Sequence, residues 1–284
     1  MQSKIPMLKI TVITLAINIP GPVAVARLRQ LGANVTKIEP PTGDPLALAA
    51  PAWYDHLHQG VRVIALDLKR EADRAQLEPL LASADLLLTS MRPRALARLR
   101  LDAASVAARH PHLCQLSIVG YPGPQANEAG HDLTYQASLG LVQPPRLPRT
   151  LLADLAGAER AVSEALALLL ARAQGQGAAA TELALSAAAT PFADPWRYGL
   201  TRPEGVLGGG IPGYNLYETR DGWVALAALE PHFWRRFLDA MGSGGENAGI
   251  SPAPDLAHFF RQRPTAEWLA WARAHDIPLA AVAE

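Results

Sequence analysis

From the N-terminus to residue 118, short apolar runs alternate with amphipathic ones, and this alternation leaves few folds open. The runs at 10–15, 35–38, 62–66, 85–89 and 113–118 are rich in Val, Ile and Leu and are bounded by Gly, Pro or charge, so they read as strands. Between them, 21–31, 71–82 and 103–109 have helical spacing. Strand–helix–strand order of this kind builds crossover units and a mostly parallel sheet. A longer helix is expected from about 154 to 173, with Asp154 placed to cap it and Gly175 and Gly177 closing it.

Segment 187–210 is rich in Pro and Gly and marks a crossover. Beyond it, runs at 214–219 and 223–228 flank Arg220-Asp221-Gly222, and an Asp-Gly step between two strands signals a hairpin. Helices are expected at 231–241 and 265–274. The expected organisation is a large α/β domain with a mostly parallel sheet over 1–186, a linker over 187–210 and a small α+β domain over 211–284.

Charge and motifs narrow the function. In 284 residues, 26 basic and 26 acidic side chains cancel. A general nucleic-acid binder needs a basic excess, so no nucleic-acid partner is expected and any anion site must be local. No run of 18 apolar residues exists, so no membrane span is expected. Lys4 and Lys9 precede an apolar stretch, but Asn18 and Pro20-Gly21-Pro22 break it. It reads as a strand entering a helix rather than a secretion signal. Cys114, the single cysteine, sits inside a strand run, reads as a core side chain and suits a reducing cytoplasm. The turn after the first strand is Ile19-Pro20-Gly21-Pro22, without G-x-G-x-x-G, which argues against a dinucleotide-dependent dehydrogenase. The pairs His56/His58 and His110/His112 fall short of a zinc set, so no metal is expected.

Several ordered segments are more specific. They are Ile19-Pro20-Gly21-Pro22, the stretch from Leu31-Gly32-Ala33 through Lys37-Ile38-Glu39-Pro40-Pro41, Leu66-Asp67-Leu68-Lys69, Arg92-Pro93 with Arg98-Leu99, Gly130-His131-Asp132, Leu152-Ala153-Asp154-Leu155-Ala156, and Tyr217 to Trp223 leading to Glu230-Pro231. In this order and spacing the chain resembles the family III CoA-transferases. That superfamily includes formyl-CoA transferase, carnitine CoA-transferases and α-methylacyl-CoA racemase.

The resemblance implies a large Rossmann-like domain, a linker and a small domain, with two chains interlocked as a homodimer. The active site then lies between the large domain of one subunit and the small domain of the other. It implies that Asp154 is the carboxylate shared by all members. At a helix start its anion is expected to gain from the N-terminal dipole, which lowers its pKa and keeps it ionised. The intact Gly-His-Asp motif points to the racemase branch. There His131 and Asp154 act on opposite faces of an α-carbon, one removing the proton and the other returning one. Asp132 and Glu230 would orient them, Glu230 as the carboxylate that supports the imidazole. Backbone N–H groups around Asp154 would hold the developing oxyanion. The resemblance places Arg92 and Arg98 on the CoA phosphates, with Lys37 and Arg62 as further basic positions near the nucleotide. No metal or redox cofactor is implied; CoA enters as part of the thioester substrate.

Two other readings stand beside this one. A CoA-transferase would use Asp154 as a nucleophile through an acyl intermediate and needs no histidine base. A CoA-binding paralogue without catalysis is the third. It is motivated by Thr14, Ile17, Val61, Arg94 and Ala178-Ala179-Ala180-Thr181, where the family often has other residues, and by a chain that stops soon after the small-domain helices. Gly208-Gly209-Gly210 reads equally as a mobile flap or as a flexible linker.

Overall fold

The computed structural model describes residues 8–242 and 255–283; Lys4 lies outside them. The chain divides into two compact units, 1–193 and 194–284.

In the first unit, β1 (Thr11–Thr14), β2 (Asn34–Glu39), β3 (Arg62–Ala65), β4 (Leu86–Thr89), β5 (Cys114–Val119) and β6 (Ala180–Ala184) form one parallel sheet, ordered β3-β2-β1-β4-β5-β6. β1 to β5 each lie within one residue of the expected runs. β6 was not anticipated.

The helices of this unit are α1 (Pro20–Gln30), α2 (Pro45–Ala49), α3 (Pro51–Leu57), α4 (Glu71–Ala82), α5 (Pro93–Leu99), α6 (Ala103–Arg109), α7 (Asp132–Ser138), α8 (Leu152–Ala171) and α9 (Leu185–Ala189). On one face of the sheet Val12, Leu86, Leu88, Leu116 and Cys114 pack against α1 and the alanine-lined side of α8. On the other, Ile13, Leu15 and Leu87 pack against Leu77 and Leu81 of α4 and Val106 of α6. Both faces are buried, as a parallel sheet requires. Ala188 and Ala189 of α9 belong to the first of these cores, so the segment expected to begin a linker at 187 is packed to residue 189.

α1 enters against β1 at close range. A Cβ on Gly21 would lie 2.1 Å from Ala16 Cβ and 3.2 Å from Ala16 Cα. The obstacle is a β-carbon beside the main chain and cannot rotate away. Gly21→Ala is therefore expected to lose stability toward the upper end of about 1–3 kcal/mol, read as a lower denaturant midpoint at constant slope.

In the second unit, α10 (Asp194–Arg197) precedes the antiparallel sheet β7 (Tyr214–Glu218), β8 (Trp223–Ala227) and β9 (Leu279–Ala281), ordered β7-β8-β9. α11 (Pro231–Ala240), α12 (Leu256–Arg261) and α13 (Thr265–Ala274) complete it. Its core is aromatic: Phe237, Phe260 and Trp268 are fully buried, and the Trp268 indole N–H donates to the Phe260 carbonyl at 2.6 Å. The hairpin carboxylate Asp221 accepts the Thr265 N–H at 2.7 Å, tying the β7–β8 turn to the start of α13.

Candidate functional site

Strand order reverses between β1 and β4, and open α/β sheets bind ligands in the crevice beyond the carboxyl ends of strands at such a point. Two cavities open there. The larger, about 530 Å³, is walled by apolar residues following β1 to β4 and by Lys69, Arg92 and Arg98. The smaller, about 230 Å³, has Arg92, His131, Tyr135 and Asp154 in its wall. Ile17, Asn18, Ser90 and Arg92 line both. The Ile17 N–H donates to Ser90 Oγ at 3.2 Å, joining the loops after β1 and β4 across the switch point.

Asp132 organises the smaller cavity through contacts between α7 and α8. It is 5% exposed. Its Oδ1 accepts the N–H groups of Ala153 (2.7 Å) and Asp154 (3.1 Å), and its Oδ2 accepts from Gln136 Nε2 at 2.6 Å. Asp132 thus caps α8 from another helix, and two expectations change. Asp154 is not the cap: α8 starts at Leu152, and Asp154 lies inside its first turn. The amides of Ala153 and Asp154 are already taken, so they are not free oxyanion donors. Asp132 makes no hydrogen bond to the His131 ring and acts instead on Asp154, whose N–H it accepts. It fixes α7 against α8 and so spaces His131 relative to Asp154. His131 itself is exposed, just ahead of α7, with its N–H donating to Thr134 Oγ1 at 3.1 Å.

The protonation of Asp154 is also corrected. Burial, and then the neighbouring Asp132 charge, push its carboxyl up to about 6. Desolvation outweighs the helix dipole here, because the competing carboxylate sits at the same helix end.

Lys37 is not a phosphate ligand in this structure. It is fully buried on β2 and ion-paired to Asp44 Oδ2 (2.5 Å) and Glu39 Oε1 (2.9 Å). His58 Nε2 lies 2.8 Å from its ammonium. An ammonium has no acceptor, so Nε2 accepts and Nδ1–H donates to the Tyr54 carbonyl at 2.7 Å. Burial, and then the Lys37 charge, hold the His58 pKa below the usual imidazole range. Glu39, Asp44 and His58 present donor atoms within 4.8 Å of one another, and the lysine supplies the cation between them. Asp44 Oδ1 also accepts the N–H groups of Asn18 and Leu46, both at 2.9 Å. The network therefore holds the β1 loop, where Asn18 sits with φ 69°.

Arg62 is the first residue of β3, at the amino end of an edge strand, and does not line either cavity. Lys69, after the carboxyl end of the same strand, takes the place beside Arg92 and Arg98. Glu230 is exposed at the N-terminal cap of α11, in the second unit.

The model of CoA-transferase family III matches residues 7–284. The chain belongs to this family. The human α-methylacyl-CoA racemase is 28% identical over 91% of this chain and 73% of its own length, and the mouse protein of the same name is 30% identical over the same shares. Cinnamoyl-CoA:phenyllactate CoA-transferase of Clostridium sporogenes is 30% identical over 82% of the chain and 64% of its own length. Among solved structures, a hypothetical protein (Rv3272) from Mycobacterium tuberculosis superposes with a TM-score of 0.84 at 22% identity, covering 98% of this chain and 84% of that one. A CAIB/BAIF family protein from Brucella suis gives 0.81 at 23%, covering 98% and 84%. These two carry the six-stranded α/β fold.

Within this CoA-transferase family III chain, Lys69, Asn18 and Tyr135 are among the cavity residues to which sequence reasoning assigned no site role. Lys69 lay in a quoted motif, and Asn18 tolerates a left-handed backbone better than most residues. Tyr135 had no sequence signal beyond standing four residues after His131.

Proposed function

We propose that the chain racemises the α-carbon of a 2-methyl-branched acyl-CoA by 1,1-proton transfer, with His131 and Asp154 as the exchanging groups. The observation that carries this reading is the pairing of the two in one cavity, with a carboxyl poised near 6. An inverting pair must hold a proton on one member and lack it on the other, in both directions. A carboxyl titrating close to neutrality serves both states, whereas an attacking carboxylate gains from full ionisation. Imidazole is the side chain whose ordinary range overlaps it.

The thioester carbonyl takes up the electron pair as an enolate, so the substrate supplies its own electron sink. On this reading Lys69, Arg92 and Arg98 bind CoA phosphates at the larger cavity. The acyl end crosses the wall shared by Asn18, Ser90 and Arg92. Glu230 supports His131 within an interlocked homodimer, as the family resemblance implies.

A 2-methylacyl-CoA incubated in D₂O is expected to gain α-deuterium and lose optical purity, and His131→Ala to slow both by about 10²- to 10⁴-fold. The likeness to cinnamoyl-CoA:phenyllactate CoA-transferase supports a second reading, CoA exchange between carboxylic acids through an Asp154 acyl intermediate. Hydroxylamine trapping of that acyl group, with turnover spared in His131→Ala, would replace the first reading with the second.

A further inference from the structure

We infer that Tyr135 is a further catalytic residue, its phenolic O–H donating a hydrogen bond to the oxyanion that forms on the thioester oxygen. This rests on the reading of the smaller cavity as the reaction site. The residue is 1% exposed, yet it lines that cavity with His131 and Asp154. Tyr135 is held by close packing. A Cβ on Gly120 would come within 2.5 Å of its hydroxyl oxygen, and one on Gly130 within 2.6 Å. The Tyr121 ring stands edge-on at 5.2 Å. Two glycines and a tyrosine thus leave room for one placement of the phenol.

Among the described residues the hydroxyl has no hydrogen-bond partner, and it is not one of the sealed, unpartnered polar atoms, of which Gln115 Oε1 is the example. A buried hydroxyl without a partner is costly unless something fills the position it addresses. It addresses the cavity. Burial, and then the neighbouring Tyr121 and Asp154 groups, pushes its pKa up to about 12, so it keeps its proton and donates. The need is real, because Asp132 has already claimed the Ala153 and Asp154 amides.

When the α C–H bond breaks, its electron pair forms the enolate C=C bond and the carbonyl π pair moves to oxygen. The proton goes to one of His131 and Asp154, and the other delivers a proton of its own to the opposite face of the α-carbon. Tyr135 retains its own proton throughout.

Tyr135→Phe keeps the ring and removes only the donor. Its kcat for α-proton exchange is expected to fall about 10²- to 10³-fold, with KM within threefold and an unchanged thermal midpoint. A Tyr135→Phe kcat within threefold of wild type overturns the inference, as does a loss confined to KM or explained by lowered stability. If wild type forms the hydroxylamine-sensitive Asp154 adduct but exchanges no proton, the racemase reading alone fails. The tetrahedral intermediate of acyl transfer carries the same oxyanion, so adduct formation then decides: a 10²-fold slower Tyr135→Phe supports the donor, and an equal rate overturns it. A wild type with neither activity overturns both.

Discussion

Asp154→Asn is expected to abolish α-proton exchange and acyl transfer alike, by about 10³-fold or more, while making the folded protein more stable above neutral pH. The two effects share one cause. Burial and the Asp132 charge raise the Asp154 carboxyl to about 6, against an ordinary value of 3.8. Between those two values the folded state binds more protons than the unfolded one, so stability falls as pH rises through the window and the full cost remains above pH 6. A rise from 3.8 to about 6, at about 1.36 kcal/mol for each pH step, sets a ceiling near 3 kcal/mol, and partial solvent access lowers the expected figure to about 1–2 kcal/mol. Asn carries no charge to desolvate, so the variant should exceed wild type by that amount at pH 8 and by almost nothing near pH 3, below both values. Denaturant melts of both proteins at the two pH values measure it. Equal stability at pH 8 would mean that the carboxylate is not destabilised in the fold, and retained turnover would mean that Asp154 is not the reacting group. A gain in stability with a loss of activity is what a functional, destabilised carboxylate produces.

That same Asp154 shows where reading the sequence stops. Local pattern carried the elements well: α4, α6 and α13 begin and end where their helical spacing does, because apolar periodicity and flanking turn residues agree there. β6 was not legible, since Ala180-Thr181-Glu182-Leu183-Ala184 is rich in helix formers. It is a strand because β5 offers an open edge with matching register. α12 and β9 likewise take their form from the aromatic core of the second unit.

At the site, the sequence marked Asp154, His131, Arg92 and Arg98, and the structure brings all four to the two adjoining cavities. Local spacing was silent on which carboxylate caps α8. The cap comes from Asp132, 21 residues upstream, and a contact of that span leaves no trace in local periodicity. The burial of Lys37 was hidden for the same reason, since its partners Asp44 and His58 lie seven and 21 residues further on.

Lys37→Met tests that hidden network and is expected to lose about 3–5 kcal/mol. Met preserves the length and most of the volume of the side chain, so the loss reports charge rather than packing. Without the ammonium, the carboxylates of Glu39 and Asp44 face each other, 7% and 1% exposed, with no cation between them. Burying an uncompensated charge is what makes breaking a buried ion pair expensive, even where the intact pair adds little. The damage reaches the site, because Asp44 is also what holds the Asn18 and Leu46 amides. Freed of that hold, Asn18 loses a restraint on its left-handed backbone, and the wall between the two cavities loosens. CoA binding is therefore expected to weaken along with stability. A second substitution separates the causes. Asp44→Asn in the Lys37→Met background removes one stranded charge, yet its side-chain carbonyl still accepts from Asn18 and Leu46, so at least half of the lost stability should return. In the wild-type background the same Asp44→Asn change should instead destabilise, since it weakens an intact pair. A change of sign in this double-mutant cycle is the signature of a charge network. Equal destabilisation by Asp44→Asn in both backgrounds would show that Lys37 and Asp44 act independently.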